Sequence, residues 1–316
     1  MKPNSERGTL GLSFDPYLPW SPINERIGLS WPGGAPFALA VVVTLESVQW
    51  SAVDGPTVPP KLRGEAYPHV IEIHKLSQYE YGNRVGVYRV LEVLRRHGIR
   101  PMIAADAAVY RDRPELVQRL GEFGVDFLGH GLTASLMLSE AWSEAEEQEY
   151  ILQSIDAVEN ATQQEVRGWM GVEYGESRRT PNLLAQAGID YVLDWPVDEQ
   201  PQQLTTESGP LWNLPIAVEL DDAITQMWTE GDIGERRRAL TPSKYADMIV
   251  RQGVRMKSDG RNQPRLLVLN VHPWIIGQPF RIRHFERAIS QIVTSGETWT
   301  TSGDELVSYL NQRFGS

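Results

Sequence analysis

The sequence has no cysteine among its 316 residues and only six histidines. The first absence excludes a thiolate nucleophile, a disulfide framework and any metal centre built on sulfur. Basic charge is also short: 30 Lys and Arg face 41 Asp and Glu, a net charge of −11, and the longest basic cluster is Arg236-Arg237-Arg238. Nucleic acid is therefore not an expected partner, because its affinity rests on neutralised phosphates. Long apolar runs are missing too. Nothing approaches the ~20 residues of a membrane span, and the polar start MKPNSERGTLGLSFDP lacks the apolar stretch of a secretion signal. The expected setting is cytoplasmic, with no membrane partner. Chemistry is left to carboxylates, histidines, hydroxyls, lysines or a bound cofactor.

What is present alternates. Phe37 to Thr44 is an unbroken apolar run after the breaker Trp31-Pro32-Gly33-Gly34-Ala35-Pro36, and Arg265 to Val271 is a second such run. Runs without polar alternation suit strands buried on both faces, as in a parallel sheet under helices. Shorter strands are expected at Pro101–Ala105, Val125–Leu128 and Asp190–Leu193. Between them Val87, Val90, Leu91 and Leu94 repeat at helical spacing up to His97-Gly98, Asp112-Arg113-Pro114-Glu115 and the capping box Ser143-Glu144-Ala145-Glu146 open helices, and Thr180-Pro181 starts another that ends at Gly188. Helices are also expected over 245–254, over 280–292 and after Ser302. Units of this kind, one every 25–40 residues or so, predict an α/β barrel or parallel sheet with right-handed crossovers. The reading is one domain, 31–316, with an N-terminal extension over 1–30. Residues 195–242 are expected to form a long irregular loop over one face.

Polar residues stand at the strand exits: Glu46 and Ser47 after Phe37–Thr44, His130 after Val125–Leu128, Glu173 in the segment Gly168–Glu173, Asp194-Trp195 after Asp190–Leu193, and His272 after Arg265–Val271. Two of six histidines directly behind apolar strands suggest one convergent site at the C-terminal strand ends. Glu46, buried at a strand end, suits a general base; its alternative is a carboxylate paired with Arg84 or Arg281. His272 suits an acid or oxyanion stabiliser, or a hydrogen-bonded core histidine, and His130 would orient water or substrate. Candidate substrate-binding residues are Arg84, Trp169, Glu173, Trp195, Asp198 and Trp274, with Trp50 and Trp212 beside them. The tryptophans would either wall a small, mostly apolar pocket or pack the core.

Several motifs in order make the chain resemble the polysaccharide deacetylase superfamily, of the NodB-homology, carbohydrate esterase family 4 type. Within it the resemblance is nearest to a metal-independent, allantoinase-like branch. They are Trp31-Pro32-x-Gly34, Thr44-Leu45-Glu46-Ser47, Tyr81-Gly82-Asn83-Arg84-Val85-Gly86, Gly129-His130-Gly131, Arg167-Gly168-Trp169, Thr180-Pro181-Asn182, Asp194-Trp195 with Asp198-x-Gln200-Pro201, and Val271-His272-Pro273-Trp274 with Gly277-Gln278-Pro279-Phe280-Arg281. The resemblance spans about residues 17–314.

It implies a distorted (β/α)7 barrel and hydrolysis of non-peptide C–N bonds. The usual family motifs, Thr-Phe-Asp-Asp-Gly and His-Ser/Thr-x-x-His, supply a base, a metal-binding Asp and two metal-binding histidines. Here Glu46 stands at the base position, Ser47 at the metal-Asp position and Ala134 at the second histidine, so His130 is the one ligand-type residue retained. A catalytic zinc needs three protein ligands. No metal or other cofactor is therefore expected, with weak zinc binding through His130, refilled by His69 and His74, as the alternative. The expected function is metal-independent hydrolysis of a small amide, ureide or cyclic imide. A metal-dependent N-deacetylase of an amino sugar or oligosaccharide, and a degenerate barrel that only binds, are the other readings. The partner is a small-molecule substrate. Phe14, Tyr17 and Trp20 fit the extension either for capping its own barrel or for docking on a second copy in a homo-oligomer.

Overall fold

A computed structural model of the chain describes residues 16–49, 73–226, 229–230, 236–237, 239–294 and 296–315. Phe14, Trp50, His69 and Arg238 lie outside the described residues. The strands are β1 (Phe37–Leu45), β2 (Met102–Ala105), β3 (Asp126–Gly129), β4 (Gly168–Trp169), β5 (Tyr191–Val192), β6 (Gln202–Thr206), β7 (Gly209–Asn213), β8 (Thr229–Glu230), β9 (Arg236–Arg237), β10 (Arg265–Val271) and β11 (Thr298–Thr300). The main sheet runs β10-β1-β2-β3-β4-β5-β7-β6, with β11 added in parallel at the start of β1. All pairs along it are parallel except the β6–β7 hairpin. Just past β7, Ile216 bridges in parallel to Val268 of β10, with Ala217 N–H donating to the Val268 carbonyl at 2.9 Å. The sheet thus curls into a distorted barrel, as the alternation of strands and helices predicts.

The helices are α1 (Ile73–Tyr81), α2 (Val87–Arg96), α3 (Ala107–Asp112), α4 (Pro114–Glu122), α5 (Glu144–Thr162), α6 (Thr180–Gln186), α7 (Asp222–Gln226), α8 (Pro242–Gly260), α9 (Pro273–Ile276), α10 (Pro279–Val293) and α11 (Gly303–Phe314). Ser143 and Glu146 form the expected capping box of α5.

All nine residues of β1 are buried, and they divide by parity. Phe37, Leu39, Val41, Val43 and Leu45 pack under the helices, whereas Ala38, Ala40 and Val42 join Met102, Ala104, Leu128, Leu266 and Val268 inside the barrel. Leu306, Val307 and Leu310 of α11 and Trp31 fill the same inner core. The inward positions are even-numbered on β1, β2, β3 and β10, and this alternation decides what the strand exits present.

Two stretches differ from expectation. The 195–242 segment contains the β6–β7 hairpin, whose half-polar strands lie at the sheet margin and so lack an apolar signature. The helix expected from Gly86 begins at Ile73 and continues through a π-helical turn, Gly82–Gly86, into α2. Glycines in a helix normally read as breaks. Here they permit contact with the β10–α9 turn: a Cβ on Gly86 would sit 2.0 Å from the Pro273 carbonyl oxygen, and one on Gly82 would sit 2.8 Å from Trp274 N. Gly86→Ala is accordingly expected to destabilise the fold by roughly 1–3 kcal/mol or more, the cost of overpacking a filled site, as read by denaturant unfolding.

In the extension, Tyr17 is buried on its own chain, its hydroxyl donating to the Arg178 carbonyl at 2.5 Å, while Trp20 is 91% exposed. No helix among the described residues is long and apolar enough to cross a membrane.

Candidate active site

The inward parity of each strand carries past its end. Thr44 and Glu46 at the exit of β1, His130 behind β3, Met170 behind β4, and Asn270 and His272 at the end of β10 all face one cavity of about 170 Å³. Glu173, Tyr174 and Asp221 complete its polar wall, and Ala223 and Ile224 add an apolar one. Glu46, His130 and His272 are all buried.

His272 is fixed from its backbone outward. Asp222, itself fully buried, accepts from the His272 N–H at 3.0 Å and from ring Nδ1 at 2.7 Å. The bond at Nδ1 leaves Nε2 as the ring nitrogen available for chemistry. Asp221 Oδ1 lies 3.7 Å from the same Nδ1. Burial opposes a charged ring, but the Asp221 and Asp222 carboxylates outweigh it and lift His272 to about 9. At neutral pH the ring is an imidazolium, a proton donor in waiting.

A second network fixes the wall beside it. Thr44 Oγ1 donates to Asn270 Oδ1 at 2.6 Å, and Asn270 Nδ2 donates to Asp221 Oδ2 at 2.9 Å and to the Tyr174 hydroxyl oxygen at 3.0 Å. Tyr174 in turn donates to Asp221. Asp221 Oδ1 takes the Ala223 N–H at 2.7 Å. Glu173 and Tyr174 hold φ of 54° and 57°, a left-handed pair without glycine. Conformations of this kind cost about 1–3 kcal/mol each and persist where surrounding contacts impose them. Asp194 steadies the neighbouring Gly171, accepting its N–H at 2.8 Å.

The Glu46 backbone is clamped from two sides. Asn83, on the π-helical turn, donates to the Glu46 carbonyl at 2.9 Å, and the next N–H, of Ser47, donates to Asp106 at 2.6 Å. His130 Nδ1 donates to the Met170 carbonyl at 2.6 Å, which fixes its tautomer because a carbonyl can only accept.

Of the expected substrate-binding residues, Glu173 alone lies on the cavity wall. The side chain of Arg84 is 76% exposed and pairs with Glu80, since the π-helical turn points Asn83 inward and Arg84 to solvent. Arg281, the other proposed partner of Glu46, donates to Gln226. Trp169 is fully buried in the core beneath the helices, against Gly129. Trp195 donates to Glu176 at 2.9 Å and meets Tyr17 edge-on. Trp212 donates to Asn311 of α11, and Trp274 stacks on Tyr79 with ring centroids 4.7 Å apart, edge-on to His272. Asp198 pairs with Arg26 and accepts from Glu199 and Gln200 N–H, fastening the extension. These five therefore hold the fold around the cavity. Asn83, Asp106, Asp221 and Asp222 do more for the site: Asn83 stands in the Tyr81–Gly86 motif and Asp106 directly behind the strand expected at Pro101–Ala105, whereas Asp221 and Asp222 carry no local signal in the sequence.

The residues do not fit the metal centre that the motifs of the superfamily imply. Ser47 and Ala134 occupy two of its three ligand positions, and an alanine side chain has no donor atom. His74 is exposed on α1. One buried Asp-Asp-His group, Asp221, Asp222 and His272, brings potential ligand atoms within 4.8 Å. Its donors are already used: Asp222 holds His272 twice, and Asp221 accepts from Asn270, Tyr174, Ala223 and Ile224. The group is built to orient and charge an imidazole.

Known proteins agree with this architecture. Residues 77–192 match the polysaccharide deacetylase family model. The chain is 21% identical over 255 residues, 73% of its length and 74% of the other's, to a Schizosaccharomyces pombe protein named by inference a polysaccharide deacetylase. The crystal structure of a Mycobacterium smegmatis protein, also so named by inference, superposes with a TM-score of 0.77 at 20% identity, covering 91% of this chain and 94% of that one. The crystal structure of Puue allantoinase gives a TM-score of 0.75 at 20% identity, with 89% and 92% covered. The family match over residues 77–192 and the barrel topology of the whole chain make it similar to the polysaccharide deacetylases.

Proposed function

We propose that this protein hydrolyses a non-peptide C–N bond in a small, uncharged amide or cyclic ureide, without a metal. The observation that carries the reading is that Glu46 faces a His272 whose charge Asp221 and Asp222 favour, across one small cavity. Glu46 takes a proton from water as the water oxygen bonds to the carbonyl carbon. The imidazolium stabilises the oxyanion and then gives its proton to the departing nitrogen as the C–N bond breaks. The proton on Glu46 afterwards restores His272. His130 orients the water or the carbonyl, and Glu173 accepts an N–H of the substrate.

Size supports a small substrate, because the cavity of about 170 Å³ falls below the roughly 300–1,000 Å³ typical of pockets for drug-sized ligands. The allantoinase among the structural neighbours fits the same substrate class.

The test is hydrolysis of a panel of hydantoins, cyclic imides, ureides and N-acetylglucosamine by protein purified without added metal. Ring opening of a ureide or imide that survives chelator, in protein with substoichiometric zinc, is expected. Stoichiometric zinc with loss of activity on chelation would sink the metal-free mechanism. Turnover of the acetylated sugar alone would overturn the substrate class.

A further inference from the structure

Asp106 follows β2 directly and is fully buried. Its side chain N-caps α3, with Oδ1 accepting the Val109 N–H at 3.0 Å. Its other oxygen leaves that helix. Oδ2 accepts the Ser47 N–H at 2.6 Å and the Ala134 N–H at 3.1 Å, from the segments that follow β1 and β3. Both segments also meet directly, as the Ser47 carbonyl accepts from Ala134 N–H at 3.1 Å and from Thr133 Oγ1 at 2.7 Å. One carboxyl group thus joins the exits of three adjacent strands, immediately beside Glu46 and four residues beyond His130.

We propose that Asp106 is a positioning residue for Glu46 and His130, a carboxyl clip that cross-links the two segments whose side chains, Ser47 and Ala134, offer no metal to do so. The proposal rests on the reading of Glu46 as the base. Glu46 sits on a chain that has already left β1, so the ladder no longer fixes its backbone. The Ser47 N–H held by Asp106 and the Glu46 carbonyl held by Asn83 fix it instead. Asparagine at 106 keeps one acceptor oxygen for Ser47 and Ala134 but turns an amide donor towards the Val109 N–H. Alanine removes all three bonds.

The test compares Asp106→Asn and Asp106→Ala with the wild-type chain in steady-state hydrolysis and in amide exchange followed by mass spectrometry. A misplaced base costs turnover more than binding. The expected result is a kcat about tenfold lower for Asp106→Asn and roughly 100-fold lower for Asp106→Ala, with KM within about twofold for both. Peptides covering 44–49 and 131–136 should lose protection together in the alanine variant. Wild-type kcat in both folded variants overturns the proposal. Should neither variant fold, the wild-type chain decides: Ser47 and Ala134 amides as slow as the interior of β1 support the clip, and exchange within seconds refutes it. If Glu46→Gln retains full activity, the assignment of the base fails, while the exchange data still judge the clip on their own.

Discussion

Glu46→Gln is expected to lower kcat by roughly 10²–10⁴-fold, the range that a positioned general base contributes, with KM little changed. The substitution keeps the shape of the side chain and its place at the exit of β1, where Asn83 and Asp106 grip the backbone rather than the carboxylate. The cavity should therefore still admit substrate. What is lost is the acceptor for the proton of water, and the two aspartates beside His272 do not replace it readily. Asp221 spends its oxygens on Asn270, Tyr174, Ala223 and Ile224, and Asp222 spends its own on His272. Unchanged turnover in a folded Glu46→Gln variant, under saturating substrate, would remove Glu46 as the base and require another acceptor for the proton of water.

The second large effect concerns the acid. In the proposed mechanism His272 acts in its protonated form, so activity should fall as pH rises through about 9, where the ring in the free enzyme is expected to lose its proton. Asp222→Asn removes one of the carboxylate charges that raise this value and leaves Nδ1 with a neutral, weaker acceptor. The alkaline limb should then move down towards the ordinary histidine range near 6.5, with kcat at pH 8 reduced by up to roughly 30-fold through the lost protonation and a smaller deficit at pH 6. A deficit equal at every pH would show that Asp222 serves structure alone. The linkage has a definite sign. A raised histidine pKa means that folding takes up a proton, so this stabilisation is complete below about 6.5 and disappears as pH climbs through about 9. Thermal unfolding of the wild-type chain should therefore shift downward over that window, and less so in the Asp222→Asn variant.

Much of this was legible in residue order. β1 and β10 are unbroken apolar runs, and a polar residue directly behind such a run projects from the barrel mouth, which is why Glu46, His130 and His272 could be singled out. Their meeting follows from parity, because even positions on β1, β3 and β10 share the interior. The supporting residues were hidden for a physical reason. Asp222 grips His272 from 50 positions away, Asp106 reaches Ser47 across 59 and Asn83 reaches Glu46 across 37. Contacts of that kind depend on how strands stack in space, and no local periodicity records them. The tryptophans misled for the opposite reason. Motif segments with glycine, such as Gly129 against Trp169, look like binding loops in sequence although the glycine makes room for an aromatic core residue. Arg84 failed because a single π-helical turn rotates the face that an ordinary helix would present.

The pairing of β1 with β10 also bears on when this protein acquires activity. Phe37 lies opposite Arg265 in register, more than 200 positions away along the chain, and the proposed base and acid stand at the exits of these two strands. Closing so long a loop is entropically costly until the strands dock, so this contact is expected late in folding. During synthesis, a chain released before β10 has emerged carries Glu46 without its acid and has an open margin on β1. On the proposed mechanism hydrolysis needs the finished barrel, and its onset in a refolding experiment is expected to mark the closure of the two ends of the chain on one another.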